Sequence, residues 1–116
     1  METVQIALTN PTYRQALRDL LLSNGGYKVS VVELPDLDRR CFVVTDCEHL
    51  RQLPNPIPNP ERVVLIAPNE PGLIARAWDA GVRWVVPDKE PPGTAMLAVL
   101  SANLPRPKAM ANIRRS

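Results

Sequence analysis

Apolar residues along this chain fall into short runs separated by helix-start and turn residues. Val4-Gln5-Ile6-Ala7-Leu8-Thr9 stops at Asn10-Pro11, which predicts a strand over residues 4–9 followed by a helix with proline in its first turn. Tyr13, Leu17, Leu20 and Leu21 then recur on one helical face, Arg14, Arg18 and Asp19 fall elsewhere, and Asn24-Gly25-Gly26 supplies the stop. Tyr27 to Leu34 holds the β-branched set Val29, Val31 and Val32, and Pro35-Asp36-Leu37-Asp38 closes this second strand with turn chemistry. Cys41-Phe42-Val43-Val44-Thr45 is a third strand, and the six residues 35–40 between the two leave no room for a full helix. Residues 47–53 make one or two helical turns, with Asp46 as N-cap and Leu50 and Leu53 facing inward.

Pro54, Pro56, Pro58 and Pro60 alternate with other residues and predict an extended, stiff connector. Their spacing of two does not match the three-residue repeat of a polyproline docking face, so a connector is the reading preferred over a peptide ligand. Arg62 to Ala67 contains the continuous apolar run Val63-Val64-Leu65-Ile66 of a strand buried on both faces. Pro71 to Ala80 repeats the helix grammar, with Leu73, Ile74, Ala77 and Trp78 packing on the sheet and Gly81 as the stop. Val82-Arg83-Trp84-Val85-Val86 is the fifth strand. The last helix runs from Pro91-Pro92 to Asn103, with Met96, Leu97, Leu100 and Leu104 as its inner face. Strands and helices alternating with short connections predict a three-layer α/β/α sandwich around a five-stranded parallel sheet of flavodoxin-like order 2-1-3-4-5, with the second helix shortened or absent. Residues 1–104 form this domain, and 105–116 are expected to be a flexible basic tail.

With 116 residues, 45% hydrophobic and 22% charged, the chain is sized for one ordinary globular core. Fourteen basic against twelve acidic residues give a net charge of +2, too even a balance to imply nucleic-acid binding. Arg106, Lys108, Arg114 and Arg115 are the only basic concentration, and they are expected to serve solubility. No apolar run approaches the ~18 residues a membrane span needs, and the N-terminus lacks a basic leader, so a cytoplasmic protein is expected. Cys41 and Cys47 are the only cysteines. In such a chain they read as buried thiols rather than a disulfide framework. Cys41, Cys47, Glu48 and His49 lack a second His or Cys cluster, so no metal site is expected.

Four stretches together resemble the receiver domain of response regulators, the phosphorylatable switch of two-component signalling, over nearly the whole ordered length. Pro11 to Leu21 is similar to the family's first helix, Phe42-Val43-Val44-Thr45-Asp46 to the strand ending at the phosphoacceptor, and Val63 to Ala67 to strand four. Ala75 to Val86 resembles the run through the fourth helix into strand five. The resemblance implies a phosphoacceptor at Asp46, with an acidic pair after strand one holding Mg²⁺ beside it. Those acidic positions fall on Leu8 and Thr9, and neither supplies a carboxylate. The hydroxyl residue expected after strand four falls on Ile66. The lysine expected after strand five falls on Pro87 or Asp88, with Lys89 as a nearby substitute.

These departures resemble the degenerate class called pseudo-receivers. They imply a protein-interaction module in bacterial signalling that is not an enzyme, uses no cofactor and no metal, and works through a signalling partner and as a homodimer. Asp46 remains a phosphoacceptor candidate, although Asp46-Cys47-Glu48-His49 before a short helix is also an ordinary cap. Trp84 is the candidate anchor of the interaction face, with core packing as its competing role. Two other readings stay open. One is a phosphorylatable receiver using Asp46, possible only with an unusual metal arrangement. The other is a small-molecule binder using the strand-end crevice, against which the chain shows no glycine-rich phosphate loop.

Overall fold

The computed structural model describes residues 2–37, 41–53, 57 and 59–103. The expected 105–116 tail, Leu104 and three of the four alternating prolines (Pro54, Pro56 and Pro58) lie outside the described residues. Five parallel strands, β1 (Glu2–Ala7), β2 (Tyr27–Val31), β3 (Phe42–Asp46), β4 (Val63–Ala67) and β5 (Trp84–Pro87), form one sheet of order β2-β1-β3-β4-β5. The helices are α1 (Pro11–Asn24), α2 (Cys47–Leu50), α3 (Pro71–Asp79) and α4 (Pro92–Asn103). No helix separates β2 from β3 among the described residues, as the short spacing predicts.

The inner strands β1, β3 and β4 are largely buried on both faces, and the apolar runs of β3 and β4 divide by alternation between two cores. Val4, Ile6, Phe42, Val44, Val64, Ile66 and Val86 face Leu17 and Leu21 of α1 and Ala95, Ala98 and Val99 of α4. Val43, Val63, Leu65 and Ala67 face Ala77 of α3, Val82, Ile57 and the half-buried Leu37, Cys47 and Leu50. Asn10 caps α1, its side-chain oxygen accepting from Thr12 N and Tyr13 N at 3.0 and 3.1 Å, and Gly25 closes the helix in the left-handed region.

Several boundaries and faces differ from the sequence reading. β1 covers residues 2–7, which releases Leu8 and Thr9 into the turn before α1. β2 ends at Val31 rather than Leu34, which is 57% exposed. Cys41 precedes β3, and β5 starts at Trp84. The α4 helix is apolar nearly all round, so sequence alone does not select its inner face. Ala95, Ala98 and Val99 turn inward because small side chains allow close approach to the sheet, Met96 and Leu100 flank them, and Leu97 is exposed. Trp78 does not pack on the sheet: α3 turns Ala77 inward and leaves Trp78 66% exposed.

Pro60, the last of the alternating prolines, lies in a turn. Asn59 is left-handed (φ 53°), and Pro60 opens a 3-10 turn, Pro60–Arg62, leading into β4. Pro60 packs over Gly81, where a Cβ would lie 2.8 Å from the proline Cγ. Gly81 (φ 95°) and Gly25 (φ 83°) both have left-handed backbones, but a Cβ on Gly25 meets nothing within 4 Å. Gly25→Ala is therefore expected to cost about 1 kcal/mol of backbone strain, and Gly81→Ala about 2 kcal/mol or more because it adds the clash. Urea denaturation of the two variants checks the difference. Equal midpoints would mean that Pro60 yields freely.

Candidate functional site

The carboxyl ends of the strands bring the sequence candidates to one place. Leu8, Thr9, Asn10, Pro11 and Tyr13 from the β1–α1 turn meet Asp46, Cys47 and Glu48 after β3, Ile66 and Pro68 after β4, and Asp88 after β5, around a cleft of about 520 Å³. This is the crevice at the topological switch point where open parallel sheets bind ligands. Lys89 does not line it: the residue is exposed in the turn beyond β5 while Asp88 faces the cleft. Pro87 is the last residue of β5, paired with Ala67. Leu8 and Ile66 are buried, 5% and 6% exposed, and make apolar walls of the cleft.

Asp46 sits at the centre with both carboxylate oxygens engaged. Oδ2 accepts from the Thr9 backbone N–H at 2.8 Å, and Oδ1 accepts from the His49 backbone N–H at 3.0 Å and from His49 Nδ1 at 2.7 Å. The residue therefore caps α2, as its place before a short helix predicts, and also ties the β1–α1 turn to that helix. Burial pushes its carboxyl pKa up. The hydrogen bonds from the His49 ring, the His49 backbone and Thr9 outweigh that and hold it below the ordinary value. A carboxyl with a lowered folded pKa stabilises the fold above its unfolded value near ~4, and that stability is lost as pH falls through the folded value. Wild type is thus expected to lose stability below about pH 4 with a steeper acid slope than Asp46→Asn. Urea midpoints between neutral and acid pH check this, and parallel slopes would remove the role of the carboxylate.

Burial raises the Cys47 thiol pKa first, the Asp46 charge raises it further, Arg51 opposes, and Glu70 and Asp88 add to the rise, which disfavours the thiolate. Burial likewise raises Tyr13, helped by Asp88 and Glu90, and the buried Tyr13 hydroxyl has no hydrogen-bond partner. The Mg²⁺ chemistry implied by the resemblance does not fit these residues. Leu8 is apolar, Thr9 spends its backbone N–H on Asp46, and among the described residues no three His, Cys, Asp or Glu side chains come together to hold a metal.

Trp84 is half-buried against the first core, with its indole nitrogen enclosed and unpartnered, and the tryptophan offered to solvent is Trp78 on α3, the helix over the second core. Trp78 stands between a hollow of about 370 Å³ bordered by Gly81, Val82 and Arg83 and one of about 280 Å³ bordered by Ile74, Val85 and Pro87.

Sequence reasoning missed Gln5. It is 3% exposed, its amide donates to Asp36 O at 3.0 Å and to Cys41 Sγ, and its oxygen accepts from Asp36 N at 2.8 Å. These bonds pin the connection that stands in place of the missing helix. The only signal was a polar residue inside an apolar run. His49 carried a plainer signal, three residues after a candidate cap. Among the described residues, no helix is long and apolar enough to cross a membrane.

No family model and no curated protein matches the chain. Among solved structures, the ChxR receiver domain from Chlamydia trachomatis superposes with a TM-score of 0.68 at 14% identity, covering 88% of this chain and 98% of that one. FixJ-N superposes with a TM-score of 0.61 at 17% identity, covering 92% and 98%. The flavodoxin-like sheet order and these superpositions agree on one architecture.

Proposed function

We propose that this chain, which has the fold of response-regulator receiver domains, is a pseudo-receiver that acts in signal transduction by protein–protein contact without metal-dependent phosphotransfer to Asp46. The observation that carries this reading is the state of Asp46: both oxygens are held by Thr9 and His49, and the positions that would share a cation with it are Leu8 and Thr9. A phosphoryl group on Asp46 would break those bonds and put concentrated negative charge beside Glu48 and Asp88 without a compensating cation among the described residues that line the cleft. Incubation with an acyl-phosphate donor and Mg²⁺ is expected to leave Asp46 unlabelled. A stoichiometric, alkali-labile label that disappears in Asp46→Ala would overturn the reading in favour of a phosphorylatable receiver.

The contact surface in this reading is the α3–β5 side, and its partner is a second copy of the chain. Exposed Arg76 and Asp79 lie on the same helix as Trp78, so a twofold arrangement can set unlike charges against each other around the indole. Light scattering is expected to give twice the chain mass at micromolar concentration and the single mass for Trp78→Ala. A wild-type monomer removes the dimer.

A further inference from the structure

An asparagine side chain is lost when the backbone nitrogen of the next residue attacks its carbonyl carbon, so the following residue decides how readily the ring closes. Asn10, Asn55 and Asn59 precede proline, whose nitrogen carries no proton to lose. Asn69, Asn103 and Asn112 precede glutamate, leucine and isoleucine, whose side chains crowd the attacking nitrogen. Asn24 alone precedes glycine. It is the last residue of α1, and Leu22, Ser23, Asn24, Gly25 and Gly26 are all exposed, so few buried contacts hold this turn. The Gly25 N–H donates to Leu22 O at 3.2 Å, and nothing stands within 4 Å of where a Gly25 Cβ would lie. Among the described residues none hydrogen-bonds the Asn24 side chain. A helical ψ at Asn24 turns the Gly25 nitrogen away from the side-chain carbonyl, so ring closure waits on the unwinding of the last turn. An exposed helix end frays without the rest of the domain opening.

We propose that Asn24 is a site of spontaneous modification, converted in the folded protein to aspartate and isoaspartate through a succinimide, with water as the co-reactant. The Gly25 nitrogen gives up its proton to solvent and bonds to Asn24 Cγ, while the side-chain nitrogen takes a proton from solvent and leaves as ammonia. Water then adds to one of the two ring carbonyls and that carbon's bond to nitrogen breaks, the proton returning to the nitrogen. Opening at Cγ leaves aspartate. Opening at the backbone carbonyl carbon leaves isoaspartate, with the chain running through the former side chain. Nothing is oxidised or reduced. Either product puts a carboxylate at the negative end of the helix dipole, in a last turn that has no basic side chain to offset it. Isoaspartate also adds a backbone carbon ahead of Gly26, whose carbonyl accepts from the Glu2 N–H at 3.2 Å where β1 begins. The modification thus loosens the α1–β2 connection, at the end of the sheet opposite Asp46 and its cleft.

The test is storage of the full chain in heavy-oxygen water at mildly alkaline pH, with peptide mapping over days. Heavy oxygen is expected in aspartate and isoaspartate at residue 24, formed within about a hundredfold of the rate in the same chain unfolded in urea. Asn24→Gln should take up none there, because the larger ring closes far more slowly. Asn24→Asp, which carries the aspartate product from the start, should melt about 2 °C or more below wild type at low salt, and the gap should narrow at high salt. A folded-state rate more than about a hundredfold below that of the unfolded chain would mean that the turn opens only with the whole domain, and overturns the proposal. Faster labelling at another asparagine overturns it as well. An Asn24→Asp protein that melts with wild type removes the loosening of α1.

Discussion

Phe42→Ala is expected to cost about 3–5 kcal/mol, a large part of the 5–15 kcal/mol that holds a domain of this size together. Phe42 is 2% exposed, opens β3 in the central layer of the sheet, and packs in the core formed with α1 and α4. Its ring also lies under the Arg62 guanidinium, 5.0 Å from ring centroid to the charge. Truncation removes the apolar burial, leaves a cavity that the surrounding strands cannot collapse, and takes away the aromatic face from an arginine whose Nη1 is already enclosed without a hydrogen-bond partner. At roughly 4–8 °C per kcal/mol, the midpoint should fall by more than about 12 °C. A scan showing a fall of under about 4 °C would mean that the core repacks around the missing ring.

Gln5→Leu is expected to cost about 2–4 kcal/mol although it keeps the size of the side chain and places an apolar residue in an apolar layer. The loss comes from the Asp36 N–H and C=O, which give up their bonds to the Gln5 amide in a half-buried setting. Replacing one partner of a partly buried hydrogen bond costs more than the bond contributes to the extent that the group left behind stays shielded from water. The effect should be local as well as global. In hydrogen exchange, the Asp36 amide should lose protection in Gln5→Leu beyond what the drop in overall stability explains, whereas in Phe42→Ala it should follow the overall drop. A Gln5→Leu protein as stable as wild type would mean that Pro35, which is buried, and Leu37, packed on the second core, hold the connection without the amide.

These two residues differ in how legible they were. Phe42 stands in an apolar run, and alternation with Val43 and Val44 already marks it as core. Gln5 lies between Val4 and Ile6, where a polar residue in a strand buried on both faces must find partners, but the chain does not say which. Those partners are 31 and 36 residues away, in the turn after β2 and just before β3. Only the register of β1 beside β3 brings them together. His49 follows the same logic at shorter range: the cap was readable from Asp46 and the helix that follows, but the Thr9 contact that occupies the other oxygen depends on β1 and β3 being neighbours.

The two tryptophans and α4 show a different limit. Periodicity placed Trp78 beside Ala77 and put the large residues of α4 inward, because sequence ranks positions by side-chain size and spacing. In the folded chain the smaller residues Ala77, Ala95 and Ala98 take the contacts, and Trp78 and Leu97 are left outside. An apolar helix without a polar face has no preferred rotation until the sheet and α1 are beside it, and close approach then favours small side chains.

By itself the sequence determined the order of strands and helices, the parallel sheet, the shortened second connection, and that Leu8 and Thr9 bring no carboxylate to the end of the first strand. Each of these follows from local spacing, turn chemistry, or the identity of a single residue. Only the tertiary structure decided that Asp46 is tied to Thr9 and His49, that Lys89 stays outside the cleft while Asp88 enters it, and that Trp78 rather than Trp84 meets solvent. Those outcomes depend on which strand ends are neighbours and on how closely each helix packs. Both are properties of the assembled sheet, which no stretch of the chain encodes alone.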